Sequence, residues 1–256
     1  MGKITKASSH KIRQADAAKD IEIINQFAVK ELRPEDVFCF NIHLCDNDVD
    51  RDNERFTDNA LKQLAKLFVG KTGIMDHDWS AANQTYRIYR TEIVTLDGNN
   101  ALGEPLKALN GSAYMLRSEA TEPIIASIEA GILKEVSVGC RVEKCTCSVC
   151  GKDVVSWTGC GDHTKGQTYD GKVCCGELSE ATDAYEVSFV AVPAQRNAGV
   201  TKSMADTGAA IDTLLNADLT EYPEQLKELK KKIEYSLLTE NERLERAAIF
   251  ARITRN

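Results

Sequence analysis

The chain has 256 residues, 43% of them hydrophobic, which is long enough for one sizeable buried core and an appendage. A formal net charge of -7 excludes a nucleic-acid binder whose affinity rests on a summed positive field. No run reaches the roughly 18 apolar residues of a membrane span, and the basic stretch from Lys3 to Arg13 lacks the apolar core of a signal peptide; a soluble, cytoplasmic protein is expected.

In chain order, residues 1–25 read as an N-terminal tail. VFCFNIHLC, from Val37 to Cys45, is apolar, β-branched and aromatic, hence a buried strand, and polar residues 46–53 follow it as an exposed turn. Asp46, Asp48, Asp50, Asp52 and Glu54 superficially resemble a calcium loop. The run lacks the glycine at the sixth position and the acid at the twelfth, so a solvated turn is expected. Thr57 starts a helix: Phe56 and Leu61 form a hydrophobic staple, Leu61, Leu64, Ala65 and Phe68 keep helical spacing, and Gly70 sits at the C-cap. Residues 86–96 and 112–117 are predicted strands. Residues 122–130, with Pro123 in the first turn and Gly131 after the end, are a predicted helix.

The strand KEVSVGCRVE follows. Alternation puts Val136, Val138, Cys140 and Val142 on the core face and Ser137, Gly139 and Arg141 on the other, with Gly139 leaving space for a substrate backbone. Residues 145–176 break the pattern and read as an insert. Strand character resumes at 184–192 and Pro193 ends it. The small, polar stretch 201–210 reads as a linker, and 211–256 as a helical tail in which Thr239 and Glu242 form a capping-box signature.

Seven of the nine cysteines fall between Cys140 and Cys175, a clustering that suits a metal better than a disulfide framework. Cys147-x2-Cys150 and Cys160-x2-His163, separated by nine residues, make the two short-spaced pairs of a tetrahedral zinc site. Four protein ligands leave no open position for chemistry, so the expected zinc is structural and catalysis needs no cofactor. Cys145, Cys174 and Cys175 remain alternatives to His163. No His pair shows metalloprotease spacing.

Serine proteolysis needs an activated hydroxyl, a base and a group that orients the base. Of the four histidines, His10 lies in the tail, His43 on the buried strand and His163 among the cysteines, which leaves His77, flanked by Asp76 and Asp78. GIMDHDWS, KEVSVGC and YEVSFVAVPAQRNAGV resemble three ordered landmarks of the prohead serine proteases of tailed phages, over roughly residues 37–202. The resemblance implies a β-rich α+β fold, a closed β-barrel of herpesvirus-protease type with surrounding helices, here at 26–200 and carrying the insert. It also implies Ser137 as nucleophile and His77 as base, 60 positions apart. No histidine lies in 184–200 to supply the third member used by the herpesvirus relatives, so Glu186 takes that role, with Asp183 and Asp78 behind it. Arg141 or Arg196 is the candidate helper for the oxyanion. Cys140, where an aromatic often stands, and the cysteine-rich insert depart from the family pattern.

The implied activity is a serine endopeptidase that processes scaffold and capsid precursors inside the prohead, in the host cytoplasm. It would also cut itself within 198–212. Self-association is left open, and neither nucleic acid nor membrane is an expected partner. The competing reading is an inactive scaffold or capsid-assembly protein that keeps the protease fold.

Overall fold

The computed structural model describes residues 15–201. The expected linker beyond Thr201, the helical tail 211–256 and most of the self-cleavage window lie outside the described residues. Within the segment expected as a tail, α1 (Ala17–Ile24) forms because Asp16 caps it, its carboxylate accepting from the Ala18 and Lys19 amides. Ile24 is fully buried against Val37 and Tyr89. Asp20 fixes the helix to the sheet by accepting from the Tyr89 hydroxyl and from Arg90, each at 2.8 Å.

The strands are β1 (Val37–Asp46), β2 (Glu54–Phe56), β3 (Thr72–Met75), β4 (Tyr86–Asn99), β5 (Pro105–Leu116), β6 (Val136–Cys147), β7 (Thr168–Tyr169), β8 (Lys172–Val173), β9 (Gly176–Phe189) and β10 (Gly199–Val200). Two more helices are α2 (Asp58–Leu67) and α3 (Glu122–Glu129). Thr57 caps α2 through the Ala60 amide, and Gly70, at φ 85°, takes the left-handed turn that follows the helix.

Eight strands form one mixed sheet in the order β10-β1-β5-β4-β3-β9-β2, with β6 on the other edge of β9. β9 runs parallel to β2 and β3; the remaining pairs are antiparallel. The closed barrel expected by resemblance does not form. β10 is only two residues long, and a single bridge, Glu135 to Gly199, joins it to the residue ahead of β6, so no continuous ladder closes the sheet. Nor does a shell of helices surround it, since three α-helices are all that the described residues contain.

The core lies on one face of this sheet under α2. Phe40, Ile42, Leu61, Leu64, Phe68, Val136, Val187 and Phe189 meet there. Phe40 and Phe189 stack with centroids 6.4 Å apart, and Tyr86 meets each of them edge-on at 5.4 Å. Gly73 is required beneath Tyr86, because a Cβ there would stand 2.0 Å from the ring, and the Tyr86 hydroxyl then reaches across to donate to the Val187 carbonyl at 2.8 Å. This packing holds β3 and β9 side by side.

Candidate active site and metal centre

β9 is where the candidate residues converge. Ser188 and Glu186 are two apart on a strand and share a face, and Ser137 and Gly139 of β6 stand opposite them in register. Ser137 therefore lies on the same face as Glu186. Val138, Cys140 and Val142 pack on the core face, as alternation predicted.

β3 ends at Met75, beside Phe189, and the chain then turns through Asp76 and His77, both with φ near +50° (51° and 53°). Non-glycine residues adopt that conformation at a cost of order 1–2 kcal/mol per residue, so it persists only where neighbours fix it. The fixing contacts are visible. The Asp76 amide donates to the Phe189 carbonyl at 2.9 Å and the His77 amide to Ser188 Oγ at 3.1 Å. Ser188, fully buried, in turn donates to Glu186 Oε2 at 2.6 Å.

His77 Nδ1 lies 2.8 Å from Glu186 Oε1. A carboxylate offers only acceptors, so in this contact Nδ1 is the donor, and in a neutral ring Nε2 is then the acceptor. The Glu186 side chain is 4% exposed and that of His77 42%, so the acid is sheltered while the imidazole faces solvent. Both carboxylate oxygens of Glu186 are bonded, one to the ring and one to the Ser188 hydroxyl.

The gap above Gly139, expected to admit a substrate backbone, is filled from within. A Cβ on Gly139 would stand 2.3 Å from Glu186 Oε1. Sequence reasoning also overlooked Ser188, although its position two residues after Glu186 was a readable signal.

The other named residues are placed elsewhere. Asp78 accepts from Asn83 Nδ2 at 2.6 Å, and Asp183 pairs with Lys71 at 3.3 Å. Arg141 pairs with Glu143 at 2.8 Å and Arg196 is exposed. His43 forms a second His–acid pair, 3.0 Å from Asp46, but both are buried and Asp46 is bracketed by Gln195, so the pair seals the end of β1. Burial works to raise the Asp46 pKa, yet hydrogen bonds, His43 foremost, hold it below the usual carboxylate value. Asp46 is thus no part of a solvated turn. Among the described residues, no hydrogen bond joins Ser137 to His77.

The metal-ligand set gathers at the opposite end of the β6–β9 ribbon. Cys147, Cys150, Cys160 and His163 bring their ligand atoms within 4.8 Å of one another, so they can hold a metal ion. Cys150 Sγ to Cys160 Sγ and Cys160 Sγ to His163 Nδ1 both measure 3.7 Å. An ion with bonds of about 2.3 Å to sulfur has tetrahedral edges of about 3.8 Å, so the donors already stand at ligand spacing.

Two backbone knuckles support them. Burial acts to raise the Cys147 pKa, but the Val149 and Cys150 amides aim at its sulfur and bring it below the free-thiol value. The His163 and Asp162 amides do the same against burial at Cys160. Gly151 and Gly161, at φ 71° and 93°, allow these turns.

Of the three alternative cysteines, only Cys174 stands beside this group, 3.7 Å from Cys147. Burial pushes its thiol up to about 12. Cys145 lies under Gly176 and Cys175 next to Ser148, which leaves both outside the cluster.

No protein-family model, curated protein or solved structure matches the chain.

Proposed function

We propose that this chain is a serine endopeptidase of the prohead-protease type, with Ser137 as nucleophile, His77 as general base and Glu186 as the residue that orients the base. The observation that carries the reading is the 2.8 Å His77–Glu186 contact, on the sheet face where the neighbouring strand presents Ser137. The Nε2 lone pair of His77 takes the Ser137 hydroxyl proton as Oγ attacks a peptide carbonyl. The same imidazole returns that proton to the departing amine, and water, activated by His77, releases the acyl group. Glu186 stays ionised and stabilises the imidazolium that forms at each stage. Its second oxygen, held by Ser188, keeps it from swinging away.

The substrates proposed are scaffold and capsid precursors within the prohead in the host cytoplasm, with the chain itself among them. Their identity rests on the motif resemblance alone. The metal is proposed to be structural zinc, held by Cys147, Cys150, Cys160 and either His163 or Cys174. Cys147 stands ten positions along β6 from Ser137, about 33 Å of extended strand, too far for the ion to take part in catalysis.

A second reading, an inactive assembly protein that keeps the fold, is favoured by one observation: Ser137 and His77 are not hydrogen-bonded. Catalytic contacts often tighten only around substrate, so that gap counts less than the built His77–Glu186–Ser188 chain. Co-expression with the capsid and scaffold precursors decides between them. Processing should be lost in Ser137→Ala and His77→Ala, since removing a nucleophile or base costs about 10⁶ in kcat in a well-studied serine protease. Processing at the wild-type rate in either variant would overturn the protease reading and leave the assembly-protein one.

A further inference from the structure

A cleft of about 390 Å³ opens beside Glu186, the partner of His77, over β3 and the segment 79–84. Two aromatic rings line it. Trp79 is 69% exposed and lies against Tyr185, centroids 5.3 Å apart. Tyr185 reaches this face through a β-bulge: Gly139 pairs with Glu186, but the next residue, Cys140, pairs with Ala184, so Tyr185 is the extra residue. Such a bulge turns a side chain that alternation would bury toward the same side as its neighbour. An indole left in water at the mouth of a concave site, in contact with a second ring, forgoes burial that the fold does not supply.

The charges at the cleft are already paired. Lys71, on its wall, bonds Asp183 at 3.3 Å, and Glu186, at its floor, bonds His77. Among the described residues no unmatched charge lines the space, which favours an uncharged occupant. Its volume leaves ample room for a large side chain together with the backbone that carries it.

Resting on the protease reading above, we propose that Trp79 and Tyr185 form the subsite for an aromatic or long aliphatic side chain of the peptide substrate. Strands lie about 4.8 Å apart, so the cleft over β3 is about 10 Å from the β6 strand that carries Ser137. That distance spans about three residues of extended peptide. The occupant is therefore the side chain about three residues from the bond that Ser137 attacks, and Trp79 and Tyr185 set specificity without touching the reacting atoms.

The test is cleavage-site profiling of a peptide library by the full chain, read by mass spectrometry beside the rate of fluorophosphonate labelling. Wild-type cut sites should be enriched in Phe, Tyr, Trp, Leu or Met at one position about three residues from the cut. Trp79→Ala should lower that enrichment roughly tenfold, and Trp79→Phe should keep most of it. Unchanged enrichment in Trp79→Ala, or a charged preference at that position in the wild type, overturns the subsite while leaving the protease reading intact. A wild type that neither cuts nor labels overturns both. Binding gives a readout without turnover: in Ser137→Ala/Trp157→Phe protein, Trp79 fluorescence should change saturably with N-acetyl-phenylalaninamide and not with N-acetyl-aspartamide. An equal response to the two, or none, also overturns it.

Discussion

Ser188 and Gly139 show how much of the site depends on residues that do no chemistry. Ser188→Ala removes the donor to Glu186 and the acceptor for the His77 amide, leaving the buried carboxylate and the part-buried amide without these partners. A cost of about 1–3 kcal/mol in stability is expected from such orphaned groups, and small displacements of a base can lower kcat by about a hundredfold. Ser188→Thr, which keeps the hydroxyl, should recover most of the activity, and the pH–rate profile of Ser188→Ala should change shape as Glu186 loosens. A merely structural role would lower stability and leave that profile in place. Gly139→Ala should push the Glu186 carboxylate off the imidazole, since the new methyl would overlap Oε1. The ¹⁵N spectrum of the His77 ring checks this: a single Nδ1–H tautomer in the wild type, a mixture in the variant. His77, Ser137 and Glu186 were legible as candidates from their motifs. The filling of the space over Gly139 was not, because alternation says which face a side chain takes but not which neighbour occupies it.

At the scale of the element, the cysteine-rich insert was read from spacing, because short-paired Cys and His ligands have few other uses. Its boundaries shifted because β6 and β9 run on through Cys147 and from Gly176, pairing Cys145 with Leu178, so the insert extends a ribbon and does not hang from a loop. Lys165 anchors it to Glu54 at 2.7 Å, and Arg55 bonds Glu177 at 3.0 Å. Purified protein should contain about one zinc per chain, and chelation should raise hydrogen exchange in 148–175 while Ser137 labelling continues. Comparing His163→Ala with Cys174→Ala by metal analysis identifies the fourth ligand, the variant that loses the ion being the one that removes it. The turn before β2 carries a pH dependence of its own. Burial first, with Asp52 and Glu54 nearby, lifts Asp50 to about 6 from 3.8 although the Asp52 and Glu54 amides oppose it. An acid raised on folding binds its proton more tightly in the folded state, so stability falls as pH rises from about 4 through 6 and stays lower above that. Asp50→Asn, which keeps the accepting oxygen, should add on the order of 1 kcal/mol at pH 7 after allowance for solvent screening. Thermal melts should show that gain vanishing below pH 4.

For the whole molecule, individual strands and helices were legible where a local signal was strong, as in the apolar run of β1, the helical spacing of α2 and the Pro123 and Gly131 that bracket α3. The closure of the sheet was not, because it depends on how many residues of β10 can pair on both sides. Only two residues form β10, and one bridge to Glu135 does not make a ladder. The parallel pairing of β3 with β9 is what brings His77 to Glu186 over 109 positions of chain, and no local pattern announces a contact that distant. The central claim is that this junction of β3, β9 and β6 is a serine-protease centre. Fluorophosphonate labelling of the full chain, with the modified residue mapped by peptide mass spectrometry, tests it most directly. The account predicts one modified serine, Ser137, with labelling abolished in His77→Ala and slowed in Glu186→Gln. Modification of a different serine, or an undiminished rate in His77→Ala, would contradict it.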